Sequence, residues 1–124
     1  MPVTIETPLT LPCGSVLPNR LIKAAMTEGL ADTSNNATDR HLTLYRRWSE
    51  GGAGLLLTGN VQIDRRHIER PGNVVIEGPP NKEAMDQLKR WAQAATSAGN
   101  QCWMQLSHAG RQIDQALNPH PFSA

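Results

Sequence analysis

The sequence predicts an α/β protein in which parallel strands alternate with helices. Three observations lead there. Short apolar runs at residues 20–26, 54–59 and 101–106 suit strands buried in a parallel sheet. The segments between them, 38–50 and 81–98, carry apolar residues at helical spacing. The order strand, helix, strand, helix, strand then calls for right-handed parallel crossovers. With 124 residues, 39% hydrophobic and 19% charged, the composition is that of an ordinary globular domain with one core.

The elements follow in chain order. Leu9-Thr10-Leu11 and Val16-Leu17 flank Pro12-Cys13-Gly14-Ser15, a turn-rich stretch that predicts a short hairpin. After Pro18-Asn19, residues 20–26 pass through Leu21, Ile22, Ala24 and Ala25 and read as a buried strand. Residues 28–36 are small and polar, a loop. Thr38-Asp39 opens a helix with a capping hydroxyl and an acid in the first turn. Leu42, Tyr45 and Trp48 share a face with Leu44, and Gly51-Gly52 stops the helix. Leu55-Leu56-Leu57 lies between glycines as a second buried strand. Residues 64–80 are charged, then rich in Gly and Pro, and predict a long irregular connection. Asn81 caps the next helix, in which Ala84, Leu88, Trp91, Ala92 and Ala95 form a stripe. Asp86 and Arg90 stand four residues apart, the spacing of a weak ion pair. Gly99 ends this helix. Residues 101–106 make a third strand with Trp103 and Leu106, and 118–124 read as a terminal loop.

Composition excludes several classes. Twelve Lys+Arg against eleven Asp+Glu leave a net charge of +1, with no electrostatic footprint for nucleic acid or an anionic membrane. No apolar run approaches the ~20 residues of a membrane span, so no membrane partner is expected. The first residues lack a basic and then apolar leader, so no signal peptide is expected. Cys13 and Cys102 form neither a CxxC nor a zinc spacing, which makes a reducing cytoplasmic location the default. His41, His67, His108 and His120 are scattered, and no metal centre is expected. Gly51-Gly52-Ala53-Gly54 precedes a strand rather than opening a helix, the wrong order for a phosphate cradle.

Ligands of parallel α/β sheets bind at the carboxyl ends of the strands. Here those ends are Ala25-Met26-Thr27, Thr58-Gly59-Asn60 and Gln105-Leu106-Ser107-His108. They predict a neutral, hydrogen-bonding face. Gln105 offers one acceptor and two donors on a plane, suited to a heterocycle with an amide edge. The residues leave two architectures open: a small open sheet, or the opening units of a barrel. A (β/α)8 barrel takes about 250 residues, so this chain would be less than half of one.

Three blocks decide between them by resemblance. Asn19-Arg-Leu-Ile-Lys-Ala-Ala-Met-Thr27, Tyr45-Arg-Arg-Trp-Ser-Glu-Gly-Gly-Ala-Gly-Leu55 and Gln105-Leu-Ser-His-Ala-Gly-Arg111 resemble the old yellow enzyme family of FMN-dependent ene-reductases, in that family's order. The set is closer to the bacterial-type branch with the NADH:flavin oxidoreductases than to the yeast type. The resemblance implies a TIM (β/α)8 barrel, of which residues 1–124 form the incomplete amino-terminal part, about three β/α units plus the hairpin. It implies FMN as cofactor and NADH or NADPH as reductant. Hydride passes through the flavin to an activated, enone-type alkene; a homo-oligomer is also compatible with the family. Residue by residue, Ala24, Ala25 and Met26 match the segment that backs the isoalloxazine. Thr27 matches the residue bonding near flavin O4, and Gln105 the glutamine on the pyrimidine edge. Asn60 matches a flavin-side position that is usually Ala or Gly. His108 and Arg111 read as parts of the third-strand signature, His108 as a structural hydrogen-bonder and Arg111 as an ion-paired loop anchor. The family's substrate-anchoring His/His or His/Asn pair, its tyrosine donor and its phosphate grip come from later strands, so activity is expected in a complete chain. The alternative is a non-catalytic α/β fragment or assembly module.

Overall fold

The computed structural model describes residues 2–122; Ser123 and Ala124 of the expected terminal loop lie outside them. The hairpin is present: β1 (Leu9–Thr10) pairs antiparallel with β2 (Val16–Leu17). A parallel sheet follows, built on β4 (Leu55–Gln62). Its first two residues pair with β3 (Ile22–Lys23) and its last two with β5 (Val74–Val75), while β6 (Gln101–Ser107) runs along the other edge. Helices α1 (Asp39–Glu50) and α2 (Lys82–Ala95) connect the strands and pack against each other. These parallel β/α units match part of a TIM barrel. The sheet is open: among the described residues, β6 has β4 as its one neighbour.

Helix starts follow the expected signals, whereas α2 ends at Ala95 with Thr96 as its cap, before the glycine stop expected at Gly99. Asn81 Oδ1 accepts the Ala84 amide at 2.8 Å and caps α2. At α1 the residue three beyond Thr38 is His41, whose Nδ1 accepts the Thr38 amide at 3.0 Å, while the Thr38 hydroxyl donates to the Leu30 carbonyl at 2.9 Å. An imidazole thus takes the part that Glu or Gln plays in a capping box. The helix faces meet through aromatic rings. Tyr45 packs edge-on against Trp91 at 5.2 Å and Trp48 at 4.9 Å, and His41 lies 4.8 Å from Trp91. Leu42, Leu56, Val61, Val74, Ala94 and Ala95 fill the space beneath them.

Four expectations are corrected. Residues 20–26 form a two-residue strand, not a buried run, and Leu21, Ile22 and Met26 are exposed. Hydrophobicity alone cannot bury a strand whose sheet has no layer on that side. The same holds for Trp103 of β6; Leu106, level with Val61 on the helix side, is exposed because β6 is the free edge of the sheet. The connection 64–80 contains β5, too short for its pattern to stand out from the surrounding polar chain. Arg90 pairs with Asp39 of α1 at 3.2 Å, not with Asp86, because the two helices lie side by side there.

His41 yields a prediction. It is fully buried, burial pushes its pKa down, and its Nδ1 serves as an acceptor only when neutral. As pH falls below the ordinary 6.5, the unfolded chain takes up a proton that the folded chain resists, so stability falls. His41→Gln keeps a side-chain acceptor without the titration. Its melting temperature, followed by circular dichroism, should drop less between pH 7.5 and 5.5 than that of the parent.

A second concerns the open edges. β6 presents unpaired backbone together with Trp103, Met104 and Leu106, the arrangement that templates strand addition. Residues 1–124 expressed alone should be dimeric or aggregate, as read by light scattering on size-exclusion chromatography; a monodisperse monomer would refute this.

Candidate active site

The carboxyl side of the sheet is shaped by one irregularity in β4. Leu57 pairs with Trp103, yet Asn60 pairs with Gln105, so β4 carries one extra residue between them. Thr58 absorbs it. Its Oγ1 accepts the Gln105 amide at 2.9 Å, in place of a ladder carbonyl, and donates to the Gly59 carbonyl at 2.8 Å. The slip sets Asn60 and Gln105 level, and Gln105 Nε2 donates to Asn60 Oδ1 at 2.7 Å. Asn60 lies inside β4, which continues to Gln62, so it is neither a turn residue nor the strand end that the glycine pattern predicts.

Gly59 fixes where the chain leaving β3 crosses β4. A Cβ on Gly59 would stand 2.5 Å from the Met26 carbonyl oxygen and 2.7 Å from the Thr27 Cα. Its amide donates to Glu28 Oε1 at 3.0 Å and to the Tyr45 hydroxyl at 3.2 Å, and Tyr45 in turn donates to Glu28. Burial first, then the Glu28 carboxylate, push the Tyr45 phenol far above its ordinary pKa. Tyr45 is therefore a neutral structural bridge with no access to a ligand.

These constraints bring Ala25, Met26, Thr27, Asn60 and Gln105 to one cleft of about 330 Å3, together with Glu69 and Arg70. Ala24 does not line it; its carbonyl instead accepts Lys23 Nζ at 2.7 Å. Glu69 and Arg70 were missed at the level of sequence, because they stand in the irregular connection 64–80 with no pattern around them. Glu69 Oε2 accepts both the Thr27 hydroxyl and Asn60 Nδ2, each at 2.8 Å. Arg70 Nη2 donates to the Thr27 carbonyl at 2.7 Å. Burial alone would raise the Glu69 carboxyl, but the bonds from Asn60 and Thr27 and the charge of Arg70 outweigh it, and the pKa is lowered. Gln105 Oε1 accepts from no other described residue and stays available to a ligand. A larger depression of about 470 Å3, between the loop after β5 and the start of α2, shares no residue with the cleft.

The histidines are less scattered than their sequence positions suggest. His67, His108 and Asp64 bring their polar atoms within 4.8 Å of one another. His67 Nε2 accepts the Phe122 amide at 2.9 Å, so Nδ1 carries the proton and faces Asp64 Oδ2 at 3.1 Å. Both ring nitrogens are thereby committed. His108 stacks on His67 and accepts the Gly110 amide, the structural part expected of it. Arg111, expected to anchor the loop by an ion pair, is exposed and forms none among the described residues.

No family model matches the chain. It is 34% identical over 116 residues to the NADH-dependent flavin oxidoreductase iliE of Hypocrea jecorina, covering 93% of this chain and 29% of that protein. It is 40% identical over 118 residues to the NADH-dependent flavin oxidoreductase nadA of Aspergillus parasiticus, covering 86% and 26%. The chain thus spans less than a third of these relatives. Among solved structures, an old yellow enzyme homologue from Zymomonas mobilis superposes with a TM-score of 0.79 at 21% identity, over 97% of this chain and 32% of that one. Morphinone reductase does so with a TM-score of 0.74 at 24% identity, over 96% and 31%. The structural likenesses establish the fold.

Gly59→Ala tests the crossing. The added methyl would meet the Met26 and Thr27 backbone and the Glu28 carboxylate, itself held by the Gly59 amide and Tyr45, so we expect a loss of about 1–3 kcal/mol in denaturant unfolding. An unchanged midpoint would show that the crossing has slack.

Proposed function

Because the chain belongs to the old yellow enzyme / NADH-dependent flavin oxidoreductase family and spans part of its barrel, we propose that residues 1–124 form the amino-terminal units of an FMN-dependent reductase of activated alkenes. The observation that carries this reading is the convergence of Ala25, Met26, Thr27, Asn60 and Gln105 on one strand-end cleft.

The donor set fits the pyrimidine edge of a flavin, an imide N–H flanked by two carbonyls. Gln105 Oε1 can accept the N–H, and its second Nε2 hydrogen can serve a carbonyl. Met26, 56% exposed, offers an apolar floor for a planar ring. Arg70 places a cation beside the cleft, where it favours negative charge on the ligand. Bound FMN would supply hydride transfer from NADH or NADPH to the alkene. The chain's own residues hold the ring edge and set its electrostatics. Protonation and substrate anchoring have no residue in this cleft: Tyr45 is sealed away and His67 and His108 are committed elsewhere. The activity therefore belongs to a complete barrel.

A second reading, a non-catalytic segment that assembles with another chain, draws on exposed Ile22, Trp103 and Leu106 at the open sheet. The two separate on one measurement. In a complete reductase containing residues 1–124, Gln105→Leu should weaken FMN binding by about tenfold or more, the cost of an unpaired polar edge at ~1–3 kcal/mol. Unchanged affinity in a fluorescence-quenching titration would remove Gln105 from the flavin site and favour the second reading.

A further inference from the structure

Thr27, Asn60 and Gln105 do not stand independently around the cleft. Thr27 Oγ1 and Asn60 Nδ2 both donate to the same oxygen, Glu69 Oε2. A carboxylate only accepts, so it dictates direction to its neighbours. The Thr27 hydroxyl must spend its one proton on Glu69 and can offer a ligand only lone pairs, so the hydroxyl that the resemblance sets near flavin O4 can accept from the neighbouring ring N–H but cannot donate to O4 itself. Asn60 must turn its amino group to Glu69, which leaves its oxygen facing Gln105. Gln105 must then turn Nε2 to Asn60, as it does at 2.7 Å, and its Oε1 is left over. A neutral cleft of hydroxyl and amides could adopt several hydrogen-bond polarities. With Glu69 in place it has one.

We propose that Glu69 is the positioning residue of the cleft, setting the polarity of Thr27, Asn60 and Gln105 so that Thr27 Oγ1 and Gln105 Oε1 are left as acceptors for an N–H edge of the bound ring. The assignment rests on the flavin reading above and adds to it a residue that touches Thr27 and Asn60 rather than the ligand. It also accounts for asparagine at position 60. A small residue there would leave Gln105 free to rotate, whereas Asn60 relays the carboxylate's direction across two strands. The Glu69 charge acts on the ring as well: a fixed anion beside the cleft disfavours added negative charge and so lowers the reduction potential.

The test uses Glu69→Ala and Glu69→Gln in a complete reductase containing residues 1–124. Glu69→Ala removes both acceptor and charge; Glu69→Gln keeps an acceptor oxygen of the same reach. FMN affinity should fall roughly tenfold in Glu69→Ala, the loss of about one net hydrogen bond, and stay within about twofold of the parent in Glu69→Gln. The midpoint potential of bound flavin should rise in both. Glu69→Ala with parental affinity and potential overturns the proposal, as does Glu69→Gln binding as weakly as Glu69→Ala. A parent that binds no FMN overturns the flavin reading instead. The positioning claim is then judged in the ligand-free protein by the Asn60 side-chain amide in a nitrogen-15 spectrum. That signal should shift when Glu69 is protonated and lose the titration in Glu69→Gln; an amide indifferent to both refutes the relay. The same spectrum shows whether either variant has lost its fold.

Discussion

The extra residue in β4 is the constraint on which the rest of the cleft depends. With a regular parallel register beyond Leu57 and Trp103, Gly59 would stand beside Gln105 and Asn60 beside Leu106. No side-chain bond between the two amides could then form across the ladder. Thr58 makes the slip affordable because its hydroxyl accepts the Gln105 amide that the ladder would otherwise leave unpaired. The short hydroxyl of a β-branched residue, which also suits a strand, is what the position requires.

The same point ties the sheet to the helices. Gly59 has no side chain, so the chain from β3 can cross close above it, and its amide is free to meet Glu28 and Tyr45. Tyr45 belongs to α1 and packs on Trp91 of α2. One backbone amide therefore connects the ligand side of the sheet with the aromatic layer between the helices. The cleft is set on one side by this crossing, through Met26 and Thr27, and on the other by the slipped register, through Asn60 and Gln105.

The apolar surface follows from the same incompleteness of layers. α1 and α2 cover one face of the sheet and bury Leu56 and Val61. On the other face Ile22, Met26 and Trp103 have nothing opposite them, while Leu106, level with Val61 on the helix side, is exposed at the free edge of β6. In a closed (β/α)8 barrel the interior is filled by side chains from strands all round the sheet, and three units cannot supply them. Residues that read as core in the sequence can thus be exposed here without contradicting their pattern.

Local interactions are what the sequence by itself determined. The two helices, their starts, the glycine stop of α1, the hairpin, the parallel β/α order and the place of Thr27, Asn60 and Gln105 toward the carboxyl side of the sheet rest on neighbours within a few residues or on the blocks that carry the resemblance. The tertiary structure alone decided what depends on distant partners: the register slip that levels Asn60 with Gln105, the arrival of Glu69 and Arg70 at the cleft, the Arg90–Asp39 pair, and the clustering of His67 with His108. Each is a contact between segments that no periodicity links. Glu69 shows the reason most plainly: it lies 42 residues from Thr27 in an irregular connection, and only the fold brings its carboxylate to the hydroxyl it orients.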